Sequence, residues 1–132
     1  MKALIVEDNF ISRNFLHKAL SKYGEIDVSV DGAEAIEAFS LAHEKGFPYD
    51  LILMDIMMPN IDGIEALKRI REIEHNKGII GKEECKVVMI TAVDNPKAVV
   101  DAYYKGGATS YVTKPIDIKM LVELVKKLGL IN

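Results

Sequence analysis

Residues 50–55 of this 132-residue chain read Asp-Leu-Ile-Leu-Met-Asp. The four apolar residues form an unbroken run between two acids, a pattern typical of a short strand that is buried on both faces of a sheet. Two other segments share this form, namely residues 3–6 (ALIV), which stop at Glu7, and residues 87–90 (VVMI), which stop at Thr91. Three such strands predict a parallel sheet with helices on both faces.

The rest of the chain alternates between weaker strand patterns and helical patterns. Residues 26–30 alternate in polarity as an edge strand does, and residues 110–113 (SYVT) are a fifth candidate. Apolar residues recur at helical spacing in between, as in Ile11, Phe15, Ala19 and Tyr23, in Val99, Ala102 and Tyr103, and in Ile118, Val122 and Val125. Helix starts are marked by the capping residues Asp31, Asp62, Asn95 and Asp117. We therefore predict an α/β fold of five βα units, doubly wound.

Composition limits the class of protein. The apolar fraction is 49%, the net charge is −3 and the pI is near 5.6, which disfavours a disordered chain and a nucleic-acid-binding surface. Cys85 is the single cysteine, so an internal disulfide is excluded, and no apolar run approaches the about 18 residues of a membrane span. We expect one soluble, cytoplasmic domain over residues 1–132, without a nucleic-acid or membrane partner.

Polar side chains follow the predicted strands at the points where the strands end. In an open parallel sheet the carboxyl ends of the strands form one rim, and binding sites lie there. The residues at this rim are Glu7, Asp8, Asp55, Thr91, Ala92 and Lys114.

Three carboxylates at one rim are tolerable only with a cation or with raised pKa values. Two carboxylates about 4 Å apart repel each other by roughly 4 kcal/mol at the effective dielectric of a protein surface. Mg²⁺ prefers such oxygen ligands together with water and phosphate oxygens, and Mn²⁺ is the alternative. An ammonium from Lys114 and a hydroxyl from Thr91 could hold phosphate oxygens, while a carboxylate such as Asp55 can itself accept a phosphoryl group.

These residues resemble the pattern of a known family, the bacterial response-regulator receiver domain. Its chemotaxis-regulator-like, flavodoxin-like fold implies a five-stranded parallel sheet with strand order 2-1-3-4-5. The similarity is carried, in the same order along the chain, by residues 4–9 (LIVEDN), 50–59 (DLILMDIMMP), 62–65 (DGIE), 90–92 (ITA) and 111–115 (YVTKP).

The resemblance implies roles for the acidic residues. Asp55 would accept the phosphoryl group. Asp8 and Asp55 would bind Mg²⁺ directly, together with the backbone carbonyl of Met57, and Glu7 would act through bound water.

The resemblance also implies roles for residues that contact the phosphate. Lys114 would pair with it, and the peptide bond from Lys114 to Pro115 would be cis. Thr91 would swing toward a phosphate oxygen, beside the small Ala92, and Tyr111 would then turn inward as the switch residue.

A receiver domain implies particular partners and excludes turnover catalysis. The phosphoryl donor would be a sensor histidine kinase or a phosphotransfer protein. A downstream protein would bind the face formed by the predicted fourth helix, the fifth strand and the fifth helix, and a homodimer remains open. The protein would be a switch that catalyses only its own phosphorylation and dephosphorylation.

Three alternatives stay open at this stage. The chain could be a stand-alone regulator, which Met1 directly before the first strand favours, or a receiver fragment of a larger regulator or hybrid kinase. A metal-dependent phosphatase of the haloacid-dehalogenase type would need a second Asp where this chain has Met57. A scaffolding domain with an inactive site would not need the complete set of acids.

Two features depart from the family pattern. Met57 and Val93 are both apolar at positions that control water access to the phosphoaspartate, so we expect slow self-hydrolysis. Residues 76–84 form a longer connection than is usual, predicted to lie far from the acidic rim. Ile79 and Ile80 within it would pack against their own loop or contact a partner.

Overall fold

The computed structural model describes residues 1–58, 60–92, 97 and 107–132. In these residues, strands and helices alternate in the order β1 (Lys2–Val6), α1 (Phe10–Leu20), β2 (Glu25–Ser29), α2 (Gly32–Glu44), β3 (Leu51–Asp55), α3 (Gly63–Asn76), β4 (Lys86–Ala92), β5 (Ser110–Lys114) and α4 (Ile118–Lys127). The predicted fourth helix, with Asn95, Val99, Ala102 and Tyr103, lies outside the described residues, as does Val93. The label α4 therefore belongs to the fifth predicted helix.

The five strands form one parallel sheet in the order β2-β1-β3-β4-β5, as predicted. β2 lies at an edge, which explains its alternating pattern. The chain runs outward from β1 to β2 and then returns to β3 on the other side of β1. A crevice forms at the carboxyl ends of β1 and β3, where the direction of strand order reverses.

Each face of the sheet has its own apolar core. Ile52 and Met54 of β3 belong to a cluster that α2 and α3 cover, whereas Leu51 and Leu53 belong to a cluster covered by α1 and α4. Because successive side chains of a strand point to opposite faces, a strand between two helical layers must be apolar throughout. The fully buried runs in β1, β3 and β4 have this cause.

The spacing of Ile11 and Phe15 predicts a helix, and α1 is present, but these two residues do not face the sheet. Both are exposed, and the buried residues of α1 are Leu16 and Leu20. The side chain of Asn9 accepts a hydrogen bond from the N–H of Ser12 and fixes where the helix begins. From that start the sheet covers the stripe one position further along, so an apolar surface remains in solvent.

Other local predictions are confirmed. Asp31, Asp62 and Asp117 each cap a helix through a side-chain oxygen. The long connection lies at the amino end of the sheet, because the N–H of Lys86 at the start of β4 donates to Asp50 just before β3. Ile80 of this connection is exposed. Within the described residues, no helix combines the length and the apolar character that a membrane crossing needs.

Candidate functional site

Three carboxylates meet at the crevice between β1 and β3. Glu7 and Asp8 directly follow β1, and Asp55 is the last residue of β3. Since Val6 of β1 pairs with Met54 of β3, the residues that follow them lie side by side. Carboxylate oxygens of the three acids lie within 4.8 Å of one another. This is the rim that the strand ends predicted.

Glu7 is the most deeply buried acid of the three and the least satisfied. Its side chain is 1% exposed, and neither carboxylate oxygen has a hydrogen-bond partner among the described residues. The nearest cation is the ammonium of Lys114, 3.6 Å from Oε1. Burial, reinforced by the negative charge of Asp55, raises the pKa of Glu7 to about 8. A buried acid without hydrogen bonds is a candidate ligand for water or a metal ion.

Lys114 lies across the crevice at the end of β5 and contacts Asp55. Its Nζ donates a hydrogen bond of 2.8 Å to Oδ2 of Asp55. Partial burial lowers the pKa of Lys114, but the hydrogen bond and the charge of Asp55 outweigh this effect, so the pKa is raised overall. The peptide bond to Pro115 is cis, as the family pattern implies.

The second oxygen of Asp55 accepts a hydrogen bond from the backbone. The N–H of Met57 donates to Oδ1 at 3.1 Å, and the side chain of Met57 is 67% exposed. The predicted metal ligand is the carbonyl of Met57, whereas the contact described at this residue comes from its N–H. Gly63 at the start of α3 packs so closely that a Cβ there would collide with the carbonyl oxygen of Asp55. These contacts fix both ends of the Asp55 residue.

The structure gives one conformation for each of the predicted switch residues, Thr91 and Tyr111. Thr91 is buried, and its hydroxyl donates to the carbonyl of Ala92 at 3.3 Å rather than toward Asp55. Ala92 is exposed and pairs in register with Lys114. Tyr111 is 42% exposed.

Of the predicted set, the structure thus brings Glu7, Asp8, Asp55 and Lys114 together, and it places Thr91 one residue beyond the partner of Asp55 on β4.

Sequence reasoning missed Arg13, which contacts the loop carrying two of the acids. Its Nη1 donates to the carbonyl oxygens of Glu7 at 2.9 Å and Asp8 at 3.4 Å. A signal for this contact existed, because Arg13 lies one turn after the capping residue Asn9. Helical side chains point back toward the amino terminus of the helix, in this case over the loop.

A groove of about 300 Å³ opens beside the acids. Its lining includes Phe15 of α1 and Ile116 after β5, with Glu7 and Lys114 at its polar end. The exposed residues Phe10 and Ile11 continue this apolar surface along α1. Apolar side chains therefore line one side of the crevice.

Comparison with known proteins assigns the family. The family model described as the response regulator receiver domain matches residues 3–126. The chain belongs to this family. The Arabidopsis thaliana protein "Two-component response regulator 24" is 33% identical over 130 residues, which cover 98% of this chain and 84% of that protein. Receiver domains are phosphoacceptor switches of two-component phosphorelays, and this chain has the same family role.

Similar sequences also occur inside much longer proteins. The "Hybrid signal transduction histidine kinase I" of Dictyostelium discoideum is 36% identical over 125 residues, which are 94% of this chain but 7% of that protein. The chain also aligns with a solved structure, "Co-crystal structure of the Saccharomyces cerevisiae histidine phosphotransfer signaling protein Ypd1 and the receiver domain of its downstream response regulator Ssk1". The TM-score is 0.82 at 30% identity, covering 98% of this chain and 88% of that chain. The family thus extends beyond bacterial regulators.

The donor set fits the Mg²⁺ that receiver domains bind in an acidic pocket. All three side chains offer hard oxygen atoms, which this ion prefers, and they lie close enough to share one ion. The absence of hydrogen bonds to Glu7 among the described residues is a second observation, because Lys114 at 3.6 Å is the nearest cation and a buried carboxylate without hydrogen bonds is costly.

Proposed function

We propose that Asp55 is the phosphoacceptor and that residues 1–132 form one receiver domain around it. The observation that carries this proposal is the approach of Glu7, Asp8 and Asp55 within 4.8 Å, with the ammonium of Lys114 at 2.8 Å from Asp55. Such a site has a nucleophile, ligands for a metal ion and a cation for phosphate oxygens at the same point. The chain acts as a switch, and it catalyses only its own phosphorylation and dephosphorylation.

The chemistry follows from the two oxygens of Asp55. One oxygen attacks the phosphorus of a phosphohistidine, and the new P–O bond replaces the P–N bond, whose electron pair stays on the imidazole nitrogen. Lys114 transfers its hydrogen bond from the carboxylate to the incoming phosphoryl oxygens. The N–H of Met57 holds the carboxylate in orientation. A Mg²⁺ ion held by Asp8 and Asp55, and through water by Glu7, would neutralise the charge on the transferring group.

The donor is a histidine kinase or a histidine phosphotransfer protein. The exposed apolar surface of α1, formed by Phe10, Ile11 and Phe15, supports this assignment because it borders the crevice. A helix of the donor that covers this surface would bring its phosphohistidine to Asp55. Apolar surface that faces solvent next to a reactive group is typical of a docking site.

Signalling to a downstream partner depends on Thr91 and Tyr111. After phosphorylation the hydroxyl of Thr91 leaves the carbonyl of Ala92 for a phosphoryl oxygen, and Tyr111 turns inward. The downstream partner binds β5, α4 and the predicted helix before β5. A groove of about 410 Å³ lined by Tyr111, Val112 and Met120 supports this face, which could equally bind a second copy of the chain.

The same function serves a stand-alone regulator or the receiver segment of a larger kinase, because the donor and output surfaces both lie on this domain. A cytoplasmic location fits the phosphohistidine donor and the free thiol of Cys85.

Intact-mass spectrometry tests the proposal. The protein is incubated with Mg²⁺ and acetyl phosphate, beside Asp55→Asn and the matched control Asp50→Asn, which changes an exposed acid at the opposite end of β3. We expect one added phosphoryl group in the wild type and in the control. None is expected in Asp55→Asn or with EDTA added first.

Phosphorylation of Asp55→Asn would refute the assignment of the acceptor. No added mass in the wild type would favour the scaffolding alternative. Following the same sample over time measures self-hydrolysis, and decay within seconds would contradict the slow loss expected from an apolar Met57.

A further inference from the structure

Arg13 combines three contacts that none of the predicted roles uses. It lies in the first turn of α1 and is half-buried. Its Nη1 donates to the carbonyl oxygens of Glu7 and Asp8, and its guanidinium carbon lies 5.5 Å from the centroid of the Phe10 ring. A cation beside an acidic site would be expected to pair with the carboxylates. The contacts described for Arg13 lead instead to the backbone that carries them.

The two cations near the site therefore act on different atoms. Lys114 donates to a carboxylate oxygen of Asp55, the side chain proposed to accept the phosphoryl group and to bind the metal ion. Arg13 donates to peptide carbonyls, so the carboxylate oxygens of Glu7 and Asp8 stay available for a cation. Lys114 neutralises charge, whereas Arg13 fixes geometry.

The loop of Glu7 and Asp8 needs a stabilising contact because ionised acids at this site repel one another. Glu7 and Asp8 lie beyond the last residue of β1, close to Asp55. When these acids are ionised and no metal ion lies between them, their mutual repulsion favours a loop further from β3. Both hydrogen bonds come from Nη1, whose two N–H groups are held in fixed directions by the planar guanidinium, whereas the donors of a lysine ammonium rotate.

Phe10 helps to hold Arg13 in place. An arginine beside an aromatic ring gains a cation–π contact and loses part of its conformational freedom. The ring and the guanidinium therefore form one unit at the mouth of the crevice.

We propose that Arg13 is a positioning residue of the metal site, which holds the loop of Glu7 and Asp8 in the conformation that binds Mg²⁺. The proposal rests on the proposed function, since it assumes that these acids bind the ion. Groups that orient metal ligands without touching the metal typically change affinity by 10- to 100-fold when they are removed.

Isothermal titration calorimetry with Mg²⁺ tests this role. We compare the wild type with Arg13→Ala, Arg13→Lys and the matched control Lys18→Ala, which removes an exposed cation from the same helix. Arg13→Ala should weaken Mg²⁺ binding by about tenfold, at the lower end of the range for such residues. Arg13→Lys keeps the charge but loses the fixed directions of the guanidinium N–H donors, and it should recover only part of the affinity. Lys18→Ala should bind as the wild type does.

Phosphorylation by acetyl phosphate provides the second measurement. Because Arg13 acts through the metal ligands, Arg13→Ala should need more Mg²⁺ for half-maximal rate and should approach the wild-type rate when Mg²⁺ is saturating. A rate that stays low at saturating Mg²⁺ would overturn the positioning role. If Arg13→Ala does not fold, as shown by circular dichroism, Arg13→Lys carries the test.

Two other results would overturn the inference. Wild-type Mg²⁺ affinity in Arg13→Ala, or full affinity in Arg13→Lys, would show that the carbonyl contacts do not position the ligands. Equal losses in Lys18→Ala and Arg13→Ala would show a general effect of charge. A wild type that neither binds Mg²⁺ nor accepts phosphate would instead reject the proposed function itself.

Discussion

Two buried glutamates of this protein have the same exposure and opposite surroundings. Glu7 and Glu74 are each 1% exposed. Glu74 on α3 is fully bonded, since Oε1 accepts 2.7 Å from Nη1 of Arg71 and Oε2 accepts 2.7 Å from the N–H of Cys85. Glu7 has no hydrogen bond to either oxygen among the described residues. Equal burial therefore accompanies two different states, a carboxylate with both oxygens hydrogen-bonded and one with neither.

The difference reflects what each group does. Arg71 also donates to the carbonyl oxygens of Cys85 and Gly107, so the pair joins α3 to the start of β4 and to the segment before β5. Both carboxylate oxygens of Glu74 are hydrogen-bonded without any ligand. The oxygens of Glu7 belong to a cluster of carboxylates that could share a cation, and burial raises the pKa of Glu7 because it disfavours the charged form. Unsatisfied groups are retained where a ligand completes them.

The largest effect is expected at Glu74. Glu74→Ala leaves Arg71 without its partner inside the protein, and breaking a buried pair in this way typically costs about 3–5 kcal/mol. Urea unfolding measures the change. The matched control is Glu72→Ala, two residues earlier on the exposed face of α3. A cost below about 1 kcal/mol in Glu74→Ala would put this pair in the class of surface ion pairs and would remove the contrast with Glu7.

The sequence was sufficient for the architecture because the pattern repeats. The unbroken apolar runs that end at Glu7, Asp55 and Thr91 predicted parallel strands, and the strand ends then predicted a common rim. The caps at Asp31 and Asp62 are local interactions over three residues, so they too could be predicted.

Contacts between residues that are far apart along the chain could not be predicted from the sequence. The bonds of Glu74 and Arg71 join residues up to 36 positions apart, and nothing in their local sequence distinguishes them from exposed helical charges. The spacing in α1 predicted the helix but not its buried face, because two apolar stripes overlap and only packing on the sheet selects Leu16 and Leu20. The roles of Asp8, Thr91 and Lys114 stay predictions that rest on the family pattern.

The second expected effect tests the contrast between Glu7 and Glu74 through Mg²⁺ binding. A ligand that binds only the folded state stabilises it, by about 2.7 kcal/mol at a hundredfold excess over Kd. If Glu7→Gln weakens Mg²⁺ binding tenfold, as removal of an orienting group does, that gain falls by about 1.4 kcal/mol at the same Mg²⁺ concentration. Thermal unfolding with and without Mg²⁺ measures it. Glu74→Gln, which changes the bonded glutamate, should keep the full gain, and an equal loss in both variants would abolish the distinction.

The third expected effect concerns pH in the metal-free protein. The pKa of Glu7 is raised from 4.5 to about 8 by burial and by the charge of Asp55. Between these values the unfolded chain gives up the proton while the folded protein keeps it, so the contribution of Glu7 to stability is complete below pH 4.5 and is lost as the pH rises through 8. In EDTA, the wild type should therefore lose more stability than Glu7→Gln between pH 5 and pH 8, as urea unfolding at each pH would show. Parallel curves would mean that Lys114, 3.6 Å away, already compensates the charge of Glu7, and that its unbonded oxygens impose no strain for a metal ion to relieve.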